Sequence, residues 1–259
     1  MLKSIIKKIV KDSGYDIVRR PSAPPIPDAG SDQRPVGNMK FFLEDLRKRG
    51  LRCKSVLDVG ANRTNWSRMA HAVFPEARFS LIEPQLEMKD DLDRFCRDFP
   101  ETSVFPVGAG SKNEKLILTI WDDLDGSSFL PKEDVGLKNS GKQREVNIIT
   151  IDSLIESDQI KIPELMKLDI QGFELEALKG AEKTFGHTEV YILEVSLFSF
   201  SDVPGQPVLS DVVNFMLSRN YIVYDFAGFL RRPLDGALGQ CDICFVRKDG
   251  FLRKSSDWK

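Results

Sequence analysis

Beyond residue 54 the chain alternates short apolar runs with amphipathic segments. The runs 55–59, 78–82 and 102–107 read as strands covered on both faces, while 65–73 and 86–99 place apolar residues at helical spacing. Such alternation predicts right-handed βαβ units and a parallel sheet. Two further strand patterns, 115–121 and 144–150, flank a polar loop containing glycine. They interrupt the alternation and predict a hairpin-like insertion before the next strand, 165–169. Helix 174–181, strand 190–195, helix 210–218 and strands 221–225 and 242–247 complete the expected sheet. No helix separates the last two strands, so the final one is expected to run antiparallel.

The first fifty residues follow a different pattern. Leu2, Ile5, Ile6, Ile9 and Val10 fall at helical spacing, with Lys3, Lys7, Lys8 and Lys11 on the other face. This basic amphipathic helix lacks the long uncharged core and cleavage site of a signal peptide. Two placements are open for residues 1–11: docking on the protein's own body, including packing in a homodimer, or peripheral contact with an anionic membrane surface. Residues 20–38 carry five prolines and read as a linker or wrapping arm, and Phe41, Phe42, Leu43 and Leu46 begin a helix that stops near Gly50. The expected division is an N-terminal extension, 1–50, and a catalytic domain, 51–259.

Composition narrows the function classes. At 259 residues the chain can bury one sizeable α/β core. Its 37 basic and 39 acidic residues leave a net charge of −2, which gives no general field for nucleic acid. Cys53, Cys96, Cys241 and Cys244 are too scattered for a disulfide framework and fit a reduced, cytoplasmic setting, with association at the cytoplasmic membrane face if residues 1–11 lie on lipid. Cys241 and Cys244 form a CxxC inside a strand-like run, where positions three apart point to opposite faces, which argues against zinc or redox work. His71 and His187 stand apart, and no apolar run is long enough to span a bilayer.

Candidate chemistry sits at two strand-to-helix junctions. In LMKLDIQGFELEALKG, Lys167 and Asp169 share one face of a strand that should be apolar, and Glu174 opens the helix that follows. An internal ion pair and a ligand site at the strand's carboxyl end both account for them. In SVLDVGAN, Asp58 is followed by the turn Gly60, Ala61 and Asn62, where small residues admit a ligand to the backbone. About twenty residues later a strand ends in Glu83 and Pro84, where an acid accepts hydrogen bonds from ribose hydroxyls. Together these predict an adenosine-type cofactor. NAD stays open on that evidence, although the full GxGxxG is absent.

The pieces VLDVGAN, LIEP, TIDSL, LMKLDIQGFELEALKGA, YILEV and QCDICFV, spread over 55–246, resemble the FkbM-type family of S-adenosylmethionine-dependent methyltransferases. The resemblance implies the seven-stranded class I methyltransferase fold, Rossmann-like, and methyl transfer to a hydroxyl of a sugar, glycan or related metabolite, as in polysaccharide biosynthesis. It implies that Asp58, Gly60 and Asn62 contact the methionine part of the cofactor, Glu83 the ribose, and the turn from Gly108 and Ala109 to Ser111 the adenine side. Thr64 stands where the family's motif usually continues to another glycine. As an alternative to that glycine, Thr64 would cap the helix opening at Asn65, or cofactor binding would be lost and the chain would serve as a non-catalytic binding module. Asp169 is the first candidate for base or hydroxyl orienter, with Lys167, Glu174 and Glu194 around it. A magnesium ion held by Asp169, Glu174 and Glu194 is a further option. The loop with Trp121, Asp122, Asp123, Asp125, Ser127, Ser128 and Phe129 is expected to overhang the crevice and meet a polyhydroxylated acceptor.

Overall fold

The computed structural model describes residues 34–200, 205–255 and 257, so the amphipathic stretch 1–11 and most of the proline-rich segment lie outside the described residues. A seven-stranded sheet has the order β3-β2-β1-β7-β8-β10-β9. Its strands are β1 (Ser55–Val59), β2 (Arg78–Ile82), β3 (Ser103–Phe105), β7 (Leu165–Leu168), β8 (Val190–Ser196), β9 (Tyr221–Arg231) and β10 (Leu238–Arg247). All pairings are parallel except those of β10, which runs antiparallel between β8 and β9. The expected mostly parallel sheet with an antiparallel last strand is present, and that strand lies inside the sheet rather than at its edge.

Strict alternation along the buried strands feeds two cores. Val56, Leu165, Val190, Ile192 and Cys244 face one side, covered by α1 (Met39–Lys48), α2 (Asn65–Val73) and α3 (Lys89–Asp98) through Phe42, Leu46, Ala70 and Phe95. Leu57, Val59, Met166, Leu168, Leu193 and Cys241 face the other side. Cys241 and Cys244 therefore point to opposite faces, as their spacing requires. The helix α1 belongs to the same compact unit as the sheet, Pro35–Lys259. Among the described residues, no helix is long and apolar enough to cross a membrane.

The insertion is a second, three-stranded sheet: β4 (Gly108–Ala109), β6 (Gln143–Ile149) and β5 (Glu114–Thr119), with β5 and β6 antiparallel. Two short helices were not expected. The helix α4 (Val135–Asn139) lies in the loop between β5 and β6, and α5 (Ile151–Glu156) follows β6. The motif TIDSL opens α5: the Thr150 hydroxyl accepts from Ser153 N at 3.1 Å, an N-cap that was readable from the threonine before an apolar periodic run. Two further helices, α6 (Glu174–Lys179) and α7 (Leu209–Leu217), complete the second face. The helix expected over 86–99 begins instead with a 3-10 turn, Leu86–Met88, before α3.

Candidate active site

A cavity of about 640 Å³ opens at the carboxyl ends of β1, β2, β7 and β8. Gly60, Ala61, Asn62, Glu83, Pro84, Gly108, Ala109, Lys167, Asp169 and Glu194 all line it. On the donor side, Gly60 has φ 82°, and a Cβ there would collide with the Asp169 carbonyl oxygen, so the turn after β1 demands glycine. Gly60 N and Ala61 N both donate to Ile82 O, which locks this turn to the end of β2. Glu83 is 2% exposed and ties the two junctions together: Asn62 N donates to its Oε2 and Gln85 N to its Oε1, each at 2.8 Å. Burial outweighs those bonds and pushes its carboxyl up to about 7. Each oxygen keeps a lone pair, which is the provision two ribose hydroxyls need.

Two of the expected residues stand elsewhere. Asp58 does not line the cavity; it is buried behind the turn, accepts from the Ser67 hydroxyl at 2.6 Å, and burial raises it to about 6. It faces Lys167 as a charge. Glu174 does not line the cavity either. Its Oε1 accepts from Ile170 N at 2.9 Å and from Gly172 N at 3.2 Å, capping a turn in which Gln171 and Gly172 both have positive φ. Burial raises it to about 7. In the turn 108–111, only the first two residues reach the cavity, since the Ser111 hydroxyl donates to Glu176 at 2.8 Å.

One polar row crosses the sheet above the apolar core. Two residues beyond Val56, Leu165 and Ile192 stand Asp58, Lys167 and Glu194, and two before Cys244 stands Asp242, all on the same face. The row is organised around Lys167. Its ammonium lies 2.8 Å from Asp169 Oδ2 and 5.9 Å from the centre of the Trp66 ring. Burial alone would lower the lysine, but Asp169, Asp58 and Asp242 outweigh it, so it stays charged and is no base. Asp169, although buried, is held below its ordinary range by Lys167 and by hydrogen bonds from Glu194 and Gln171. Glu194 goes the other way: burial and the Asp169 charge raise it, so it holds its proton at neutral pH. Gln171 Nε2 bridges the two acids, at 3.1 Å from Asp169 Oδ1 and 2.7 Å from Glu194 Oε2.

Magnesium does not fit this arrangement. Glu174 is committed to the backbone, Glu194 is engaged by Gln171 and Gln240, and among the described residues no group of three His, Cys, Asp or Glu side chains is placed to hold a metal ion. The insertion does close over the donor side, latched by Asn62 Nδ2 to Asp125 Oδ1 at 3.1 Å, Ser127 Oγ to Gln85 Oε1 at 3.0 Å and Ser128 Oγ to Gln171 O at 2.8 Å. Trp121 and Asp122 take no part; neither lines the cavity, and Asp122 pairs with Lys142 outside it.

Thr64 is the other departure from expectation. It sits at the N-cap of α2 with φ 62°, makes no side-chain cap, and its fully buried hydroxyl has no hydrogen-bond partner among the described residues. A β-branched residue is strained there, which is the physical reason a glycine suits the position. Sequence reasoning passed over Trp66, Gln171, Gln240 and Asp242, all cavity-lining. Asp242 carried the same signal as Lys167, a charge within an apolar strand run.

The methyltransferase FkbM domain matches residues 58–223, and the chain belongs to that family. No curated protein matches the chain. Among solved structures, precorrin-6y C5,15-methyltransferase from Geobacter metallireducens is similar at 14% identity, with 87% of this chain and 100% of that chain covered and a TM-score of 0.44. The 1,6-didemethyltoxoflavin-N1-methyltransferase of Burkholderia thailandensis, solved with S-adenosylhomocysteine, is 9% identical over 82% of this chain and 77% of that one, with a TM-score of 0.45. An O-methyltransferase family protein of the same organism is 9% identical over 81% and 55%, with a TM-score of 0.41.

Proposed function

We propose that this protein transfers the methyl group of S-adenosylmethionine to a hydroxyl of a sugar, glycan or related polyhydroxylated metabolite. The observation that carries the reading is the pairing, in one cavity, of the Gly60 turn and Glu83 with the polar row around Lys167. The donor set fits the cofactor: Glu83 is a buried carboxylate with a spare lone pair on each oxygen, and two hydroxyl donors would offset its desolvation. Gly60 to Asn62 would hold the methionine part, Glu83 the ribose, and Gly108 and Ala109 the adenine side. When bound, the cofactor supplies an electrophilic methyl group on a sulfonium. The protein's share is then to hold a hydroxyl in line and provide for its proton.

Part of the cavity wall is polar, lined by Gln171, Gln240, Asp169 and Asp242. Several adjacent hydroxyls, each donor and acceptor at once, match such a wall better than an apolar ring does. Transfer of labelled methyl from S-adenosylmethionine to a panel of methyl glycosides tests the reading. Label in an alkali-stable ether on a sugar hydroxyl is expected. Label confined to amines would contradict the acceptor class, and a protein that binds neither S-adenosylmethionine nor its demethylated product would be a non-catalytic member.

A further inference from the structure

Transfer to a hydroxyl needs a proton acceptor with an open lone pair facing the cavity, and the polar row disposes of the obvious candidates. Lys167 is an ammonium held by carboxylates. Glu194 is engaged by Gln171 and Gln240 and bonded to Asp169. Asp169 is bonded by Lys167 at one oxygen and Gln171 at the other and is also bonded to Glu194, and these partners hold its carboxyl below its ordinary range, the direction of a weaker base. Asp58 and Glu174 do not reach the cavity, and Asp123 and Asp125 lie exposed on the insertion, accepting from Gly126 N and from Asn62. Asp242 differs from all of these. It lines the cavity, is half-buried, and its carboxylate makes no hydrogen bond among the described residues.

Its place is built by its neighbours. In the ladder of β10 with β8, Asp242 stands directly opposite Glu194; with β9 it stands opposite Gly228, where a Cβ would collide with Asp242 Oδ2. The missing side chain at 228 is therefore what makes room for the carboxylate. Lys167 of β7 and Asp169 just beyond its end are the charges that act on it, and Trp66 of α2 closes the row. Two like charges directly opposite on a ladder repel, but Glu194 carries a proton, so Asp242 can stay ionised beside it.

We propose that Asp242 is the catalytic base, receiving the proton of the acceptor hydroxyl, while Asp169, Lys167 and Glu194 are positioning residues that hold the row in place. This rests on the methyl-transfer reading above and deepens it. As the O–H bond breaks, its proton passes to Asp242 and its electron pair stays on the acceptor oxygen. That oxygen forms the new bond to the methyl carbon, and the pair of the broken carbon–sulfur bond remains on sulfur. The carboxylic acid so formed returns its proton to water. Burial raises the Asp242 carboxyl above the ordinary aspartate range, the direction that makes it the stronger base.

The test needs no identified acceptor. Protein carrying carboxyl-labelled aspartate is titrated by NMR, with Asp242→Asn used to assign the resonance, in complexes with S-adenosylmethionine and with S-adenosylhomocysteine. The sulfonium is cationic and the thioether neutral, so a base at the transfer point titrates about one unit lower in the first complex. Identical titration in both complexes overturns the proposal. Binding of neither compound overturns the methyl-transfer reading itself, and the base assignment with it. In the labelled-methyl assay, Asp242→Asn is expected to lose about 100-fold or more in turnover with unchanged affinity for S-adenosylhomocysteine. Turnover within tenfold of the parent overturns the proposal.

Discussion

Single residues in this site are set by backbone constraint and charge pairing more than by side-chain identity alone. Thr64 shows the constraint. It holds a left-handed conformation with a β-branched side chain and an orphaned hydroxyl, two costs that glycine avoids. After allowance for the greater freedom of unfolded glycine, Thr64→Gly is expected to stabilise the protein by about 1 kcal/mol in urea unfolding; a loss of stability would show that the threonine methyl is needed for packing. Lys167 shows the pairing. The sequence favours a supporting ion pair for it, and the structure sets its ammonium among three carboxylates, Asp169, Asp58 and Asp242. Its position in an apolar strand was legible. The same rule applies to Asp242 in CDICFV, a charge within an apolar strand run.

At the scale of elements, the most legible parts were those with strong periodicity. The strand β1 and helices α2 and α7 fall within one residue of expectation, because their apolar positions and turn residues agree. Elements fixed by tertiary pairing were not legible in full: β9 and β10 extend well past the expected bounds, since the ladder between them continues through 226–231 and 238–242 with shifts of register that break the alternation. In the turn between β7 and α6 the sequence leaves structural and ligand-facing roles open, and Glu174 takes a structural one. Glu174 there serves Ile170 N and Gly172 N, which predicts a split between two substitutions. Glu174→Gln keeps an acceptor oxygen and should leave urea stability at pH 6 nearly unchanged, whereas Glu174→Ala strands two backbone donors and should cost about 2–3 kcal/mol. Equal losses in both variants would mean that the charge, rather than the acceptor, holds the turn.

The whole molecule carries an unusual number of buried acids, and this gives its stability a pH signature. Asp58 is raised to about 6, Glu83 and Glu174 to about 7, all chiefly by burial. Their folded values lie above the unfolded ones near 4, so the native state binds protons more tightly. The stability they confer is complete below about pH 4 and is lost as pH rises through 6 to 7. His71 acts oppositely, since burial lowers it and its contribution grows as pH rises through its unfolded value, but it is one partly exposed group against three buried acids. The ligand-free protein should therefore be less stable at pH 8 than at pH 5.5, by about 1 kcal/mol or more, in urea unfolding at the two pH values. A flat profile, or a rise toward pH 8, would mean that these carboxyls are better compensated than their surroundings indicate.

The account as a whole turns on the cavity being a site for S-adenosylmethionine with Glu83 at its ribose end, and calorimetric titration with S-adenosylhomocysteine tests this most directly. One molecule is expected to bind per chain, with Glu83→Ala weakening binding by about tenfold or more while NAD gives no comparable heat. Absence of binding to the parent protein, or equal affinity in Glu83→Ala, would contradict it.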